Sequence, residues 1–375
     1  PYPRFPSPAA EAFFIFSLSA FLADKAISRQ AQEDSWTRQL DIIFPTSVSF
    51  DACAHIAKKA LDFLSGDIWR VNPKQENSPV VKWRDLLPGF APTAISLFSG
   101  GTDSLVGAIN LLESGERVYL VSHHENSFTC NTQASLVSRL AEHYGPEKVR
   151  HAGYWVCAGR TRETSSRARS ILFIGLAVLV ASSHEEGLPI YMPENGFIGI
   201  NPPLTSSRLG SYSTRTTHPY FMELVRKMFR QIGVQHEIHN PLAEMSKGTT
   251  MVTCRNPDLL KELLPLSVSC SKTGANRWAG ESPGKNCGCC YPCLIRRAAE
   301  RRFSGDDITA YCWDAFCYPD VINKKARGRD LRNLLRAVHR YRTGQYKFIR
   351  ECLCPGTLNG LRGFHTVKQV LTSGM

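Results

Sequence analysis

The chain has 375 residues, 43% of them hydrophobic and 21% charged, which excludes a disordered or fibrous protein and allows two or three compact units. Its formal charge of +12 points to an anionic partner such as a nucleotide or nucleic acid. Thirteen cysteines, an odd and unevenly spread set, argue against a disulfide framework and for metal where they crowd.

Residues 1–90 read as a small α+β lead-in domain. An apolar helical stretch covers Phe13 to Ala23, Trp36 to Pro45 could end in a strand, and a second helix runs from about Phe50 to Leu64. The first stretch falls short of the roughly 18 residues that cross a bilayer. It has only Arg4 before it and runs into Ala23-Asp24-Lys25 instead of a cleavage site, so it reads as a buried helix. No membrane partner is expected, and the localisation is read as cytoplasmic. Pro73 to Pro79 reads as a loop.

Residues 91–265 alternate strand and helix: strand 93–98, helix 103–114, strand 117–122, helix 131–144, a strand near 149–157, helix 164–183 and a short strand 189–192. A polar stretch 194–217 follows, then helix 218–232, strand 234–239 and helix 246–254. The apolar run Ile171 to Ala181 is again too short to span a membrane. This alternation predicts an α/β fold, a mainly parallel sheet with helices on both faces. Ligands of such sheets bind beyond the carboxyl ends of the strands, near a switch in strand order.

Ser99-Gly100-Gly101-Thr102-Asp103-Ser104 lies at one of those ends, between strand and helix. Two glycines let the main chain approach phosphate oxygens, and the free N–H groups of the helix start favour an anion there. Ser99, Thr102 and Ser104 add hydroxyls. Asp103 would repel phosphate unless magnesium or a donor stands between them, which points to nucleotide chemistry with metal. The lysine of a Walker A loop is missing.

Residues 266–375 lose the alternation and read as a metal-stapled, mostly helical tail. Cys287, Cys290 and Cys293 stand at two-residue intervals before a basic helix start, with Cys270 upstream. Four thiolates suit tetrahedral zinc, and a site closed by four cysteines is structural, so catalysis must come from elsewhere. Cys289 is a further thiol inside the knuckle that could exchange with a neighbour as ligand. Lys324 to Arg350 is basic, with an apolar stripe of Leu331, Leu334, Leu335 and Val338.

The Ser99–Ser104 loop resembles the S-G-G-x-D-S motif of the PP-loop ATP pyrophosphatases, a HUP-like Rossmann-type family that cleaves ATP to AMP and pyrophosphate through an adenylated substrate. One early cysteine, then C-x2-C-x2-C, then a basic helix resembles 7-cyano-7-deazaguanine synthase (QueC), although the gap from Cys270 to Cys287 is longer here. Pro193-Glu194-Asn195-Gly196, Asn201-Pro202-Pro203-Leu204-Thr205, Ser213 to Pro219 and Cys290 to Arg297 are similar to the QueC-like component of Qat-type anti-phage defence systems, a resemblance that covers nearly the whole chain.

The resemblance implies an ATP-dependent C–N ligase using ATP, Mg2+ and Zn2+. It implies phosphate-facing roles for Ser99 to Ser104, Lys247 (in Ser246-Lys247) and Arg169, which stands in a stretch like R-N-x-x-F with Ser170 in place of asparagine. The acid implied is a 7-carboxy-7-deazaguanine. A guanine-like base needs a carboxylate or amide and an aromatic face, and Glu194, Asn195, Phe197 and Tyr220 offer these; Arg215 could bind the acid's carboxylate bidentately, with His218 beside it. Asp103 and Lys247 are the expected catalytic pair. The amine acceptor is ammonia in a housekeeping nitrile synthase, or a protein amine in the defence branch. A third reading is a nucleic-acid-binding module with a zinc knuckle, a basic tail and a vestigial loop.

Overall fold

A computed structural model describes the chain except residues 1–4, 77–88, 160, 203–214, 275–283, 317–322, 324–326, 346–351, 354–355, 359–360, 362–363 and 375. Parts of the polar stretch 194–217 and of the basic tail therefore lie outside the described residues.

The N-terminal part is built on α1 (Pro8–Ala26), β1 (Gln39–Thr46), α2 (Asp51–Ser65) and β2 (Ile68–Gln75). β1 and β2 pair in parallel as a sheet of their own, with Gln39 opposite Ile68 and Thr46 opposite Gln75. The loop expected from Pro73 thus begins as strand. Pro73 is tolerated because a two-stranded sheet has only edge strands, where a missing N–H leaves no ladder bond unmade.

The second sheet comprises β3 (Ala94–Leu97), β4 (Val118–His124), β5 (Val149–Trp155), β6 (Ile190–Tyr191) and β7 (Ile238–His239). All its pairings are parallel, in the order β5-β4-β3-β6-β7. β3 and β4 are buried throughout. Their side chains still alternate between two cores: Ile95, Leu97, Tyr119 and Val121 face one, and Val118, Leu120 and Phe98, which follows β3, the other. Such strands read as continuous apolar runs because both faces are covered.

The first core takes α1, α2, α5 (Arg169–His184) and α7 (Pro219–Ile232); the second takes α3 (Thr102–Glu113), α4 (Ser127–Tyr144) and α9 (Pro257–Leu263). α1 lies directly on α5, so the lead-in region and the α/β region share one apolar interior. The short helices α6 (Gly196–Ile200) and α8 (Lys247–Val252) stand near the carboxyl end of the sheet, and α10 (Tyr291–Ser304), α11 (Arg329–Arg342) and α12 (Phe364–Gly374) complete the chain.

Helix starts account for the main differences from the sequence pattern. α4 begins four residues before the expected 131 because Asn126 caps it, its side-chain oxygen accepting from Thr129 N–H at 2.9 Å. α5 begins five residues later than expected. The backbone N–H groups of Arg162 and Glu163 donate to Lys25 O, and those of Arg167 and Ala168 donate to the Asp24 carboxylate, which holds the approach extended. The strands expected over 189–192 and 234–239 contract to two residues each.

Candidate functional site

β3 leads to β4 and β5 on one side of the sheet, and the chain then returns to place β6 and β7 on the other, so the order reverses at β3. The glycine loop leaves the carboxyl end of β3 at this reversal. Gly100 has φ +79°, in the left-handed region, and a side chain there would also press on Thr132 and Gln133 at 3.2–3.3 Å. Gly101 is the N-cap of α3 and offers no capping side chain, so its first-turn N–H groups have no partner from the cap itself, and Ser269 takes only that of Thr102.

The loop is braced by its own hydroxyls. Ser99 Oγ accepts from Gly101 N–H at 3.3 Å and lies 3.2 Å from Ser104 Oγ, which donates to Gly101 O at 2.9 Å. A strap from the C-terminal region crosses it: Val268 N–H donates to Gly100 O at 3.0 Å, and Ser269 Oγ accepts from Thr102 N–H at 3.2 Å.

The loop opens on a cleft of about 1150 Å³. Ser99, Gly101, Thr102, Asp103, Ser104, Arg169, Glu194, Lys247 and Cys270 line it, all of them singled out by sequence. On the β6 side, Lys247 Nζ lies 2.6 Å from Asp103 Oδ1, and Asn195 Nδ2 donates to Asp103 Oδ2 at 2.8 Å. Ser246 caps α8 and so fixes Lys247 at its first position. Asn195 stands behind the aspartate, capping α6 with its carbonyl oxygen while its amide holds Asp103.

Glu194 follows β6 and lines the cleft beside this pair. Its backbone is pinned to the Asn240 side chain, and Thr217 Oγ1 donates to its carboxylate. Burial, reinforced by the negative charge of Asp103, lifts its carboxyl to about 7. Glu194 can therefore serve as donor or acceptor near neutrality.

On the β4 side, Arg169 opens α5 and donates to His123 Nδ1 and O, both at 3.2 Å. His123 Nε2 lies 3.0 Å from Val156 O, so it carries the proton and Nδ1 accepts. Burial and the neighbouring guanidinium push the imidazole down to about 4, which keeps it neutral.

Besides Asn195, four residues expected at the substrate lie elsewhere, among them Tyr220, whose ring packs edge-on to Phe63 at 5.0 Å. Phe197 is in an apolar cluster with Val370 and Leu371 of α12, so its ring is spent on packing. Arg215 donates to Phe63 O at 2.7 Å and lies over the Phe63 ring. His218 is the buried N-cap of α7, edge-on to Phe63, with its imidazole lowered to about 3 by burial and by Arg215. α2 and α7 pack together and draw both into the lead-in interface.

Sequence reasoning missed Lys25, Glu125, Ser269, Arg329 and Asp330, which also line the cleft. Ser269 carried a signal, being adjacent to a metal-spaced cysteine. Lys25 carried none, because a lysine ending an apolar helix reads as a solvated cap.

Cys270, Cys287, Cys290 and Cys293 meet with all sulfurs within 4.8 Å of one another. The separations of 3.8 Å (Cys270–Cys290) and 3.9 Å (Cys287–Cys293) match the edge of about 3.8 Å expected for sulfurs in a tetrahedron with zinc–sulfur bonds of about 2.3 Å. Backbone N–H groups of Lys272 and Cys290 donate to Cys270 and Cys287 sulfurs, both at 3.3 Å. The donor set fits zinc. Cys289 touches Cys287 at 3.7 Å and stands outside the mutual set of four.

This cluster also shapes the cleft. Asn286, beside Cys287, accepts from Ser269 N–H and donates to Ser267 O, both at 3.1 Å, so the strap over the glycine loop is held at both ends of the cysteine array. Arg296, fully buried on α10, pairs with Glu300 at 2.7 Å and donates to Ser267 O and Leu264 O. Arg297 pairs with Asp307 and Asp314. Two cations of the basic helix are thus committed internally.

Comparison with known proteins returned no family model and no curated relative that matches the chain.

Proposed function

We propose that this chain is an ATP-dependent, adenylate-forming enzyme of the QueC-like PP-loop type, which activates the carboxylate of a 7-carboxy-7-deazaguanine-type acid for amide formation. The observation that carries the reading is the glycine loop at the point where strand order reverses, with Asp103 and Lys247 paired at its rim. At about 1150 Å³ the cleft exceeds the roughly 300–1,000 Å³ of a one-ligand site, room for a nucleotide and a second small molecule together.

The α3 amides and the Ser99, Thr102 and Ser104 hydroxyls would receive the phosphates. Asp103 fits magnesium, which takes one or two carboxylates and otherwise phosphate oxygens and water. When bound, the ion would offset charge on the triphosphate. Lys247, released from Asp103, would face the negative charge that develops on departing pyrophosphate. The acid's carboxylate attacks the α-phosphorus, and an amine then displaces AMP. Glu194, able to donate or accept near neutrality, suits the mixed donor and acceptor edge of a guanine-like base.

In the resemblance that guides this reading, the acceptor is a protein amine in anti-phage defence, and ammonia with a second ATP gives a nitrile in queuosine-type biosynthesis. The test is purified, zinc-loaded protein with ATP, magnesium and 7-carboxy-7-deazaguanine, followed for AMP with and without ammonia, with products weighed by mass spectrometry. AMP release that depends on the acid is expected. Free nitrile with ammonia would move the assignment to the biosynthetic branch, and salt-dependent RNA binding without pyrophosphate release would replace it by a nucleic-acid-binding role.

A further inference from the structure

The end of α1 reaches the cleft. Its last turn carries Asp24 and Lys25, both buried although charged. Asp24 Oδ1 accepts from Arg38 at 2.5 Å, and Oδ2 accepts from Arg167 and Ala168 N–H at 2.6 and 2.8 Å. Arg38 in turn holds Asp67, which also binds Arg29 at 2.7 Å, and Arg29 N–H donates to Glu163 at 2.8 Å. Two arginines and two aspartates thus lock the end of α1 to the segment that leads into α5, and a buried cluster of this kind resists rearrangement because breaking it strands a charge.

The lock delivers Lys25 to the β4 side of the glycine loop. Its Nζ lies 3.4 Å from Glu125, which follows β4. Arg169, at the start of α5, lines the same cleft, and among the described residues no carboxylate lies within ion-pair distance of its guanidinium. Its two hydrogen bonds both go to neutral acceptors on His123. Of these two cations only Lys25 has a carboxylate, Glu125, which is 25% exposed while the Lys25 side chain is 7% exposed. Ser166, also on the cleft wall, has a buried hydroxyl with no partner. An ammonium with donors to spare, a planar guanidinium and a free hydroxyl make a host for an oxyanion.

We propose that Lys25 and Arg169, with Ser166, form a second oxyanion subsite of the cleft, to which the lead-in region contributes the ammonium, and that it holds the carboxylate of the acid substrate. The choice of occupant and probes rests on the reading of the cleft as an ATP-dependent acid-activating site. The lead-in region is then part of the binding site and sets its preference for acids over neutral analogues. Glu125 tempers the charge of the subsite, so that the acid is held less tightly than the two cations alone would hold it.

The test is calorimetric binding to the full, zinc-loaded chain with three separate probes: 7-carboxy-7-deazaguanine, its neutral nitrile counterpart, and ATP with magnesium. Wild type is expected to prefer the acid to the nitrile. Lys25→Met should weaken acid binding about tenfold or more and leave the nitrile and ATP unchanged, Lys25→Arg should restore most of the loss, and Glu125→Gln should tighten the acid. A loss that falls on ATP instead supports the oxyanion subsite with a nucleotide phosphate as its occupant. Binding of every probe at wild-type strength by both Lys25→Met and Glu125→Gln overturns it. Should Lys25→Met fail to fold, Glu125→Gln decides alone, and unchanged or weaker acid binding overturns the subsite. Wild type that binds the acid through Lys25 but takes no ATP overturns the acid-activating reading and supports the subsite; wild type that takes neither ligand overturns both.

Discussion

The two flanks of the glycine loop differ in how their charges are satisfied. On the β6 flank, Asp103, Lys247 and Asn195 close on one another, so cation and anion are matched before any ligand arrives. On the β4 flank, Lys25 has Glu125 while Arg169 has only the neutral acceptors of His123. A matched pair must open to engage metal or phosphate, and under the proposed function it would exchange one partner for another. An unmatched pair of cations gains on binding an anion without giving anything up. The same cleft thus holds a flank suited to changing charge and a flank suited to holding it.

The largest effect should follow from breaking the matched flank. Asp103→Asn leaves the buried Lys247 ammonium without its anion and removes the metal-ready carboxylate, so acid-dependent AMP formation should fall by about a thousandfold or more. Ser99→Ala, which removes a brace of the loop, should also abolish AMP formation. Zinc content, read by elemental analysis, should stay at wild type in both, and unchanged turnover would contradict the site assignment.

Next in size, Cys290→Ser or exhaustive chelation acts on both flanks at once through the strap. Loss of zinc should cost several kcal/mol of stability and weaken ATP binding together with it, because Ser269 and Val268 are held against the loop from the cysteine array. Thermal melts and ATP titrations of the same samples check this; ATP binding that survives metal removal at full strength would detach the cluster from the cleft.

A smaller effect is expected where the flanks join. Gly100→Ala forces a side chain into φ +79° against Thr132 and Gln133, at a cost of about 1–2 kcal/mol in urea unfolding. The smallest concerns pH. The folded state lifts Glu194 from 4.5 to about 7 by burial, so it binds the proton more tightly than the unfolded chain does. Its contribution to stability is complete below about 4.5 and is lost as pH rises through 7. Unfolding midpoints measured without magnesium at pH 5 and pH 8 should differ less in Glu194→Gln than in wild type.

Much of the architecture was legible because its signals are local. The strand before Ser99, the glycines and the helix after them are adjacent in the chain, and the cysteine spacing carried its own geometry. Element ends were less legible. Asn126 started α4 early through a cap, and Asp24 and Lys25 kept residues 162–168 out of α5 through bonds between segments far apart in sequence. The second parallel pair, β1 with β2, was hidden by Pro73, a residue that reads as a loop until the strand proves to be an edge.

The site divides in the same way. Ser99, Gly101, Thr102, Asp103, Ser104, Lys247, Arg169 and Glu194 all line one cleft. Phe197, Arg215 and His218 carried chemistry that suited a base or a carboxylate, yet they pack against α12 and Phe63. Residue type announces what a side chain can do, and packing decides where it does it.

By itself, the chain's sequence determined a parallel α/β core, a glycine-rich turn between strand and helix, and a four-cysteine array, because periodicity and spacing are properties of neighbouring residues. Only the tertiary structure decided that Lys25 stands beside Glu125 and that the cysteine array straps the glycine loop. The Lys25–Glu125 and Thr102–Ser269 contacts join segments separated by about a hundred residues or more, and their free energy comes from buried charges and shared cores that form when the whole chain has closed.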